Sequence, residues 1–398
     1  MENQEEKMLI GVVGCGAMGT GIAQVSAQAG HRVIIFDTDK NALERSRISL
    51  DSTLLKLAEK GKISPEEGRL ILSKIIFAYE RAEFSGCNLI IEAVIENLEI
   101  KQKLFSDLEK IVSDNCILAT NTSSLSITSI SSACKKPDRV IGIHFFNPAP
   151  IMPLVEIIPG ISTDKLLASQ MKKLIFSLGK IPVIAKDTPG FIVNRVARPF
   201  YGEAIRIFEE GLVSHKEEPE IAFATIDWAM KEIGGFRMGP FELMDLIGND
   251  VNYTVTDTVW KQFFYDPKFK PSLTQKRLFE ARRFGKKNGR GYYNYSAPLP
   301  EPEKNLILGK QIFERILIML INEAADALYY RIATKEDIDL AMTKGVNYPK
   351  GLLKWADDLG INFCLKKMEE LYDEYQEDRY RPSMQLKKMV QKGIEKFY

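Results

Sequence analysis

His144 is one of only three histidines in a chain of 398 residues, and Glu156 follows it across a proline-rich turn. Each closes a short apolar run. Arg139-Val140-Ile141-Gly142-Ile143 leads into His144, and Pro153-Leu154-Val155 leads into Glu156. A histidine that gives and takes a proton near neutral pH needs a partner to fix its tautomer and stabilise the imidazolium. Two strand ends joined by Phe145-Phe146-Asn147-Pro148-Ala149-Pro150-Ile151-Met152 would supply that pair. A lone histidine beside a strand is more often a hydrogen-bonded structural residue than a catalyst. The assignment therefore rests on the elements around it.

Those elements begin at the N-terminus. Met8 to Val13 is an apolar run of buried-strand type, followed at once by Gly14-Cys15-Gly16-Ala17-Met18-Gly19. A helical stretch, Thr20 to Ala29, closes at Gly30, and a second strand, Arg32 to Phe36, ends in Asp37. A bare Gly-x-Gly-x-x-Gly is weak evidence, but strand, glycines, helix, strand and acid in this order form a dinucleotide-binding unit. Gly14 permits the tight turn, Gly16 lets a pyrophosphate approach the helix N-terminus, and Gly19 lets helix and strand pack closely. Asp37 lies about twenty residues beyond the glycines, where an acid accepts from adenosine ribose hydroxyls. Thr38-Asp39 follows with no arginine, so a 2′-phosphate would meet negative charge. NAD is expected rather than NADP.

Further strands are expected at Asn88 to Ile91, Cys116 to Ala119 and Val140 to Ile143, with a helix from Leu98 to Val112. In an open α/β sheet the ligand lies outside the C-terminal ends of the strands. Gly14, Asp37, Glu92, Glu96, Asn121, Ser123 and His144 all stand at or just beyond such ends. That convergence moves His144 from core residue to site residue.

Composition is compatible with this. The length predicts two or three domains, and a net charge of +1 implies no broad basic surface for nucleic acid. The five cysteines are scattered without a Cys-x-x-Cys, which argues for a reducing, cytoplasmic setting and against a metal site. Met1 to Lys7 is acidic and polar, unlike a signal or transit peptide. Apolar runs such as Ile316 to Ile321 are too short to span a bilayer.

From Thr188-Pro189-Gly190 onward the pattern is helical, with Phe191 to Phe208 periodic and Asn194 an odd choice for an apolar face. Thr225-Ile226-Asp227-Trp228-Ala229-Met230 recurs as Asp337-Ile338-Asp339-Leu340-Ala341-Met342, and Gly239, Asp245 and Gly248 recur in register as Gly351, Asp357 and Gly360. Glu203-Ala204 is echoed by Glu323-Ala324 with a different spacing, and Pro271-Ser272 by Pro382-Ser383. A duplicated helical domain is expected, joined by the Pro-rich linker Ala297 to Glu303.

With Glu92-Ala93-Val94-Ile95-Glu96-Asn97, Asn121-Thr122-Ser123-Ser124-Leu125, His144-Phe145-Phe146-Asn147-Pro148, Asp187 to Arg195, Met238 to Asp245 and Gly289-Arg290-Gly291-Tyr292-Tyr293, the chain resembles the 3-hydroxyacyl-CoA dehydrogenases over roughly residues 8 to 295. The resemblance implies a Rossmann-type α/β domain (residues 1–187), an all-α domain (188–296) and a second helical copy (304–398). It implies NAD-dependent, reversible oxidation of (S)-3-hydroxyacyl-CoA. His144 would be the base paired with Glu156. Ser123 and Asn194 would hydrogen-bond the substrate oxygen, Glu96 and Lys101 would contact the ribose and nicotinamide part of the cofactor, and Asp37 the adenosine ribose. Thr53 and Lys60 would contact coenzyme A.

The second copy lacks a counterpart of the Asp187 to Arg195 motif. It ends at Gly393-Ile394-Glu395-Lys396-Phe397-Tyr398 without Gly-Arg-Gly-Tyr-Tyr, so no active site of its own is expected. It would cover the face through which relatives with one helical domain dimerise, giving a pseudo-dimer or a homo-oligomer. Short-chain 3-hydroxybutyryl-CoA is the first substrate expected and 3-hydroxyadipyl-CoA of aromatic degradation the second. Rivals are a related NAD-dependent sugar-acid dehydrogenase, a β-hydroxyacid dehydrogenase that relies on lysine, and a silent dinucleotide-binding protein.

Overall fold

A computed structural model describes residues 7–213 and 218–398, and Met1 to Glu6 of the polar N-terminal stretch lie outside the described residues. The chain divides into two units, Met1–Thr188 and Pro189–Tyr398.

The first unit is one eight-stranded sheet in the order β3-β2-β1-β4-β5-β6-β7-β8. The strands are β1 Leu9–Val13, β2 Arg32–Phe36, β3 Ile75–Ala78, β4 Leu89–Glu92, β5 Ile117–Thr120, β6 Val140–Phe145, β7 Leu154–Pro159 and β8 Ile181–Ile184. Its helices are α1 Ala17–Gln28, α2 Lys40–Glu59, α3 Pro65–Ser73, α4 Leu98–Glu109, α5 Ile127–Ser131 and α6 Leu167–Ser177. Among the described residues all strand pairs are parallel except β6 with β7. Ile10, Val12, Leu89, Ile91, Ile141 and Ile143 belong to one apolar cluster, and Val13, Ile90, Leu118 and Val140 to a second. Burial on both faces explains why these strands are continuous apolar runs rather than alternating ones. The strand order reverses direction at β1, between β2 and β4, which opens the crevice where such sheets bind ligands.

Three boundaries differ from the sequence expectation. Helix α1 begins at Ala17, directly after Gly16. His144 and Glu156 lie within β6 and β7, not at their ends, because the antiparallel ladder runs on to Phe145↔Val155 and back to Ile141↔Pro159. The stretch Phe191 to Phe208 is broken into α7 Val193–Val196 and α8 Arg198–Glu209. Pro199 lacks an N–H and crowds the residue before it, which favours a break there.

The second unit is helical: α7, α8, α9 Pro219–Trp228, α10 Pro240–Ile247, α11 Asn249–Gln262, α12 Leu273–Glu280, α13 Leu306–Tyr329, α14 Lys335–Gly345, α15 Leu352–Leu359, α16 Ile361–Tyr375 and α17 Met384–Gln391. The long α13 packs on α8, and Ile316 to Ile321 are all buried. Among the described residues no helix is long and apolar enough to cross a membrane.

One arrangement occurs twice in this unit. Asp227 accepts from the Phe241 and Glu242 amides (both 2.9 Å) and the Tyr293 hydroxyl (2.7 Å). Asp339 accepts from the Leu353 and Lys354 amides (2.8 and 3.0 Å) and the Tyr398 hydroxyl (3.2 Å). A Cβ on Gly239 or Gly351 would stand 2.3 Å from the respective aspartate, so only glycine fits either place. Asp245 takes the Tyr292 and Tyr293 amides, and Asp357 those of Phe397 and Tyr398. The chain terminus thus does the work of the Tyr292-Tyr293 pair without its glycines, because the aspartates need two amides and a phenol rather than the whole motif.

Candidate active site

The β6–β7 register sets His144 directly opposite Glu156. Their side chains meet at 2.8 Å between Nδ1 and Oε2, with His144 6 % and Glu156 0 % exposed. A carboxylate only accepts, so Nδ1 carries the proton and proton exchange falls to Nε2. The Phe146 ring lies tilted against the imidazole, centroids 4.5 Å apart. Asn121, at the end of β5, accepts from the Phe145 amide at 2.8 Å. It ties the strand end that carries Ser123 to the one that carries His144.

Ser123 lies in a loop organised by Glu96. One oxygen of Glu96 accepts from the Ser123 amide (2.9 Å), the Thr122 hydroxyl (2.5 Å) and the Ser124 amide and hydroxyl (both 3.1 Å). Burial works against this charge, but Lys101 and the hydrogen bonds outweigh it and hold the carboxyl below the usual glutamate range. The Lys101 ammonium is 1 % exposed, 2.5 Å from Glu92, 3.3 Å from Glu96 and 3.4 Å from the Val94 carbonyl. Its three donors are taken by protein acceptors, so its effect on a ligand passes through Glu96. Glu92, fully buried, also accepts from Thr120 and the Val94 amide.

The glycine loop fits an approaching pyrophosphate. Gly14 has φ +95°, and a Cβ there would lie 2.6 Å from the Ala93 carbonyl oxygen. A Cβ on Gly19 would lie 1.8 Å from the Gly14 oxygen, whereas one on Gly16 would meet nothing within 4 Å. Gly16 thus keeps open space beside the first turn of α1, which contains Ala17 and Met18 and has no side-chain cap. Uncapped N–H groups there favour an anion. Asp37 accepts from the Cys15 amide (2.9 Å) and thiol (3.3 Å) through one oxygen and from the Asp39 amide through the other. Burial, aided by Asp37, pushes the Cys15 thiol up to about 12, so it remains a donor. A cleft of about 640 Å³ lies here, lined by Gly14, Gly16, Asp37, Asp39 and Val94, a size suited to a nucleotide.

Other expected residues fall elsewhere. Thr53 is exposed on α2 with its hydroxyl on the Ser49 carbonyl, and Lys60 is the exposed C-cap of that helix. Neither lines the cleft. Asn194 lies in α7, in the helical unit. Among the described residues no cluster of His, Cys, Asp or Glu could hold a metal.

Sequence reasoning missed three supports. Lys180, 6 % exposed, donates to the Ala149 (2.6 Å), Pro150 (3.3 Å) and Met152 (2.9 Å) carbonyls, clamping the turn between His144 and Glu156. Asp187 caps α5 through the Ser126 hydroxyl and the Ile127 and Thr128 amides. Arg81 lines the cleft although it lies far from Asp37 in sequence. No spacing signal marks the first or the last.

Comparison with known proteins bears on this geometry. The profile of the 3-hydroxyacyl-CoA dehydrogenase NAD-binding domain matches residues 9–188, and that of the C-terminal domain matches residues 190–295 and 312–396. The chain is 35 % identical to 3-hydroxyadipyl-CoA dehydrogenase of Escherichia coli K12, covering 97 % of this chain and 98 % of that one. It is 40 % identical to human mitochondrial hydroxyacyl-coenzyme A dehydrogenase over 71 % of this chain and 90 % of that one. A crystal structure of 3-hydroxybutyryl-CoA dehydrogenase from Escherichia coli K12 superposes with a TM-score of 0.91 at 34 % identity, covering 98 % of this chain and all of that one. With the glycine loop, the acid after β2 and the two domain profiles in order, the chain belongs to the NAD-dependent 3-hydroxyacyl-CoA dehydrogenase family.

Proposed function

We propose that this enzyme oxidises short-chain (S)-3-hydroxyacyl-CoA, 3-hydroxybutyryl-CoA first, with His144 as the general base. The buried His144–Glu156 pair carries this reading. The substrate hydroxyl gives its proton to Nε2 of His144 as the C3–H bond breaks and the C3–O bond becomes a carbonyl. Bound NAD supplies the hydride acceptor. Glu156 stabilises the imidazolium, and in the reverse direction His144 returns the proton to the oxygen. Ser123 and Asn194 hydrogen-bond that oxygen, while Glu96, held by Lys101, orders the Ser123 loop. Thr53 and Lys60 on exposed α2 contact coenzyme A.

A six-carbon dicarboxylic substrate is the second reading, favoured by the end-to-end match to a relative named 3-hydroxyadipyl-CoA dehydrogenase. Oxidation of NADH with a chain-length series of 3-ketoacyl-CoAs, with free keto acids and sugar acids as controls, tests both. Turnover of free acids alone would overturn both.

We also infer that residues 188–296 and 304–398 are two copies of one helical domain paired within the chain as a pseudo-dimer. The repeated Asp227 and Asp339 arrangements support this. A cytoplasmic setting is in keeping with five free cysteines.

A further inference from the structure

Arg198, at the start of α8, is 7 % exposed, and among the described residues its guanidinium has one hydrogen bond, from Nη1 to the Thr256 hydroxyl at 3.0 Å. Its Nε is buried and has no partner among the described residues. It lies against the Tyr201 ring, 4.9 Å from the centroid. Arg206, two turns on, donates to the Lys270 carbonyl at 3.2 Å. Among the described residues neither arginine has a carboxylate within ion-pair distance. The acids nearby are engaged: Glu203 by Arg315 and the Tyr380 hydroxyl, Glu210 by Arg315 and Arg379, and Glu323 and Asp326 by Lys268. Arg198, Arg206, Lys268, Lys270 and Arg379 together line one cavity of about 20 Å³, with Glu203, whose Oε1 takes Arg315 and the Tyr380 hydroxyl, the one acid among its lining residues. That is room for a single occupant of water's size.

Arginine does not lose its proton in proteins, so Arg198 cannot escape burial by neutralising. A buried cation without a counter-charge is strongly unfavourable. We propose that this cavity in the helical unit is a site for one small monovalent anion from solution, a halide, held by Arg198 and Arg206.

The test uses the full chain. At constant ionic strength, replacing gluconate by chloride or bromide should raise Tm by about 2 °C or more, and Arg198→Met should abolish the shift. Bromide-soaked crystals of the unaltered protein should show anomalous density at the cavity, which removes any dependence on how the variant folds. Both measurements need no turnover, so they stand or fall apart from the proposed reaction. No halide dependence and no bromide density would mean that the cavity holds only water, and would overturn the proposal.

Discussion

His144 and Glu156 face each other across the sheet's one antiparallel pairing among the described residues, β6 with β7. The reversal of chain direction lets two residues so near in sequence oppose each other with both side chains on one face. The pair is made by backbone register, and the carboxylate comes to the histidine fully buried.

His144→Gln should lower kcat by about 10²–10⁴ while NADH binding persists. Glu156→Gln keeps the shape but removes the charge that favours imidazolium, and should lower kcat by about tenfold or more. Steady-state kinetics beside NADH titration separates the two effects. Near-native turnover in His144→Gln would remove the histidine from the mechanism.

Gly16 and Gly19 should respond differently to an added side chain. Gly16→Val enters open space, so Tm should move little while NADH affinity falls about tenfold or more, because the branched side chain fills the anion's approach. Gly19→Ala drives a Cβ into the Gly14 carbonyl, and should lower stability by about 1–3 kcal/mol as well. Equal Tm losses would show that both glycines serve packing alone.

Lys180→Met should leave three turn carbonyls without their donor at nearly unchanged volume. We expect kcat to fall with little change in NADH affinity, and Lys180→Arg to restore part of the loss. A pure stability loss, with kcat intact per folded molecule, would mean that the clamp does not position the pair.

The strands around the glycine loop were legible in sequence because burial on both faces leaves continuous apolar runs, and Arg32–Phe36 matches its expected limits. The strand β8 was not, since Pro182 interrupts it. Proline is tolerated there because β8 is a sheet edge. Gly14 and Asp37 announced themselves by residue type just beyond strand ends, and His144 and Glu156 by residue type after short apolar runs. Lys180 and the Phe397–Tyr398 closure did not, because their partners are backbone groups or aspartates distant in sequence, which no local pattern encodes.

Glu96 gives a pH signature. Its folded carboxyl lies below the ordinary glutamate range, so its contribution to stability is complete above the unfolded value. That contribution is lost as pH falls through the lower folded value. Tm of the wild type and of Glu96→Gln should therefore differ most above the ordinary glutamate range and converge as pH falls below it. A gap that widens in acid would contradict the sign.

The helical unit carries a reciprocal exchange. Arg195 donates to Glu323 at 2.6 Å, and Arg315 donates to Glu203 at 2.6 Å. Arg195 precedes Glu203 by the same interval as Arg315 precedes Glu323, so each half offers an arginine and receives one, as in an isologous dimer. A chain ending at residue 303 loses Arg315 and Glu323 and uncovers the face of α8 that packs on α13. Two such chains can restore the exchange by pairing Arg195 of each with Glu203 of the other. Light scattering should show the shortened chain as a dimer, and Arg195→Met within it should weaken that dimer while the same change in the full chain leaves its mass in solution unchanged. A shortened chain that stays monomeric with unchanged Tm would mean that the second half covers no pairing surface.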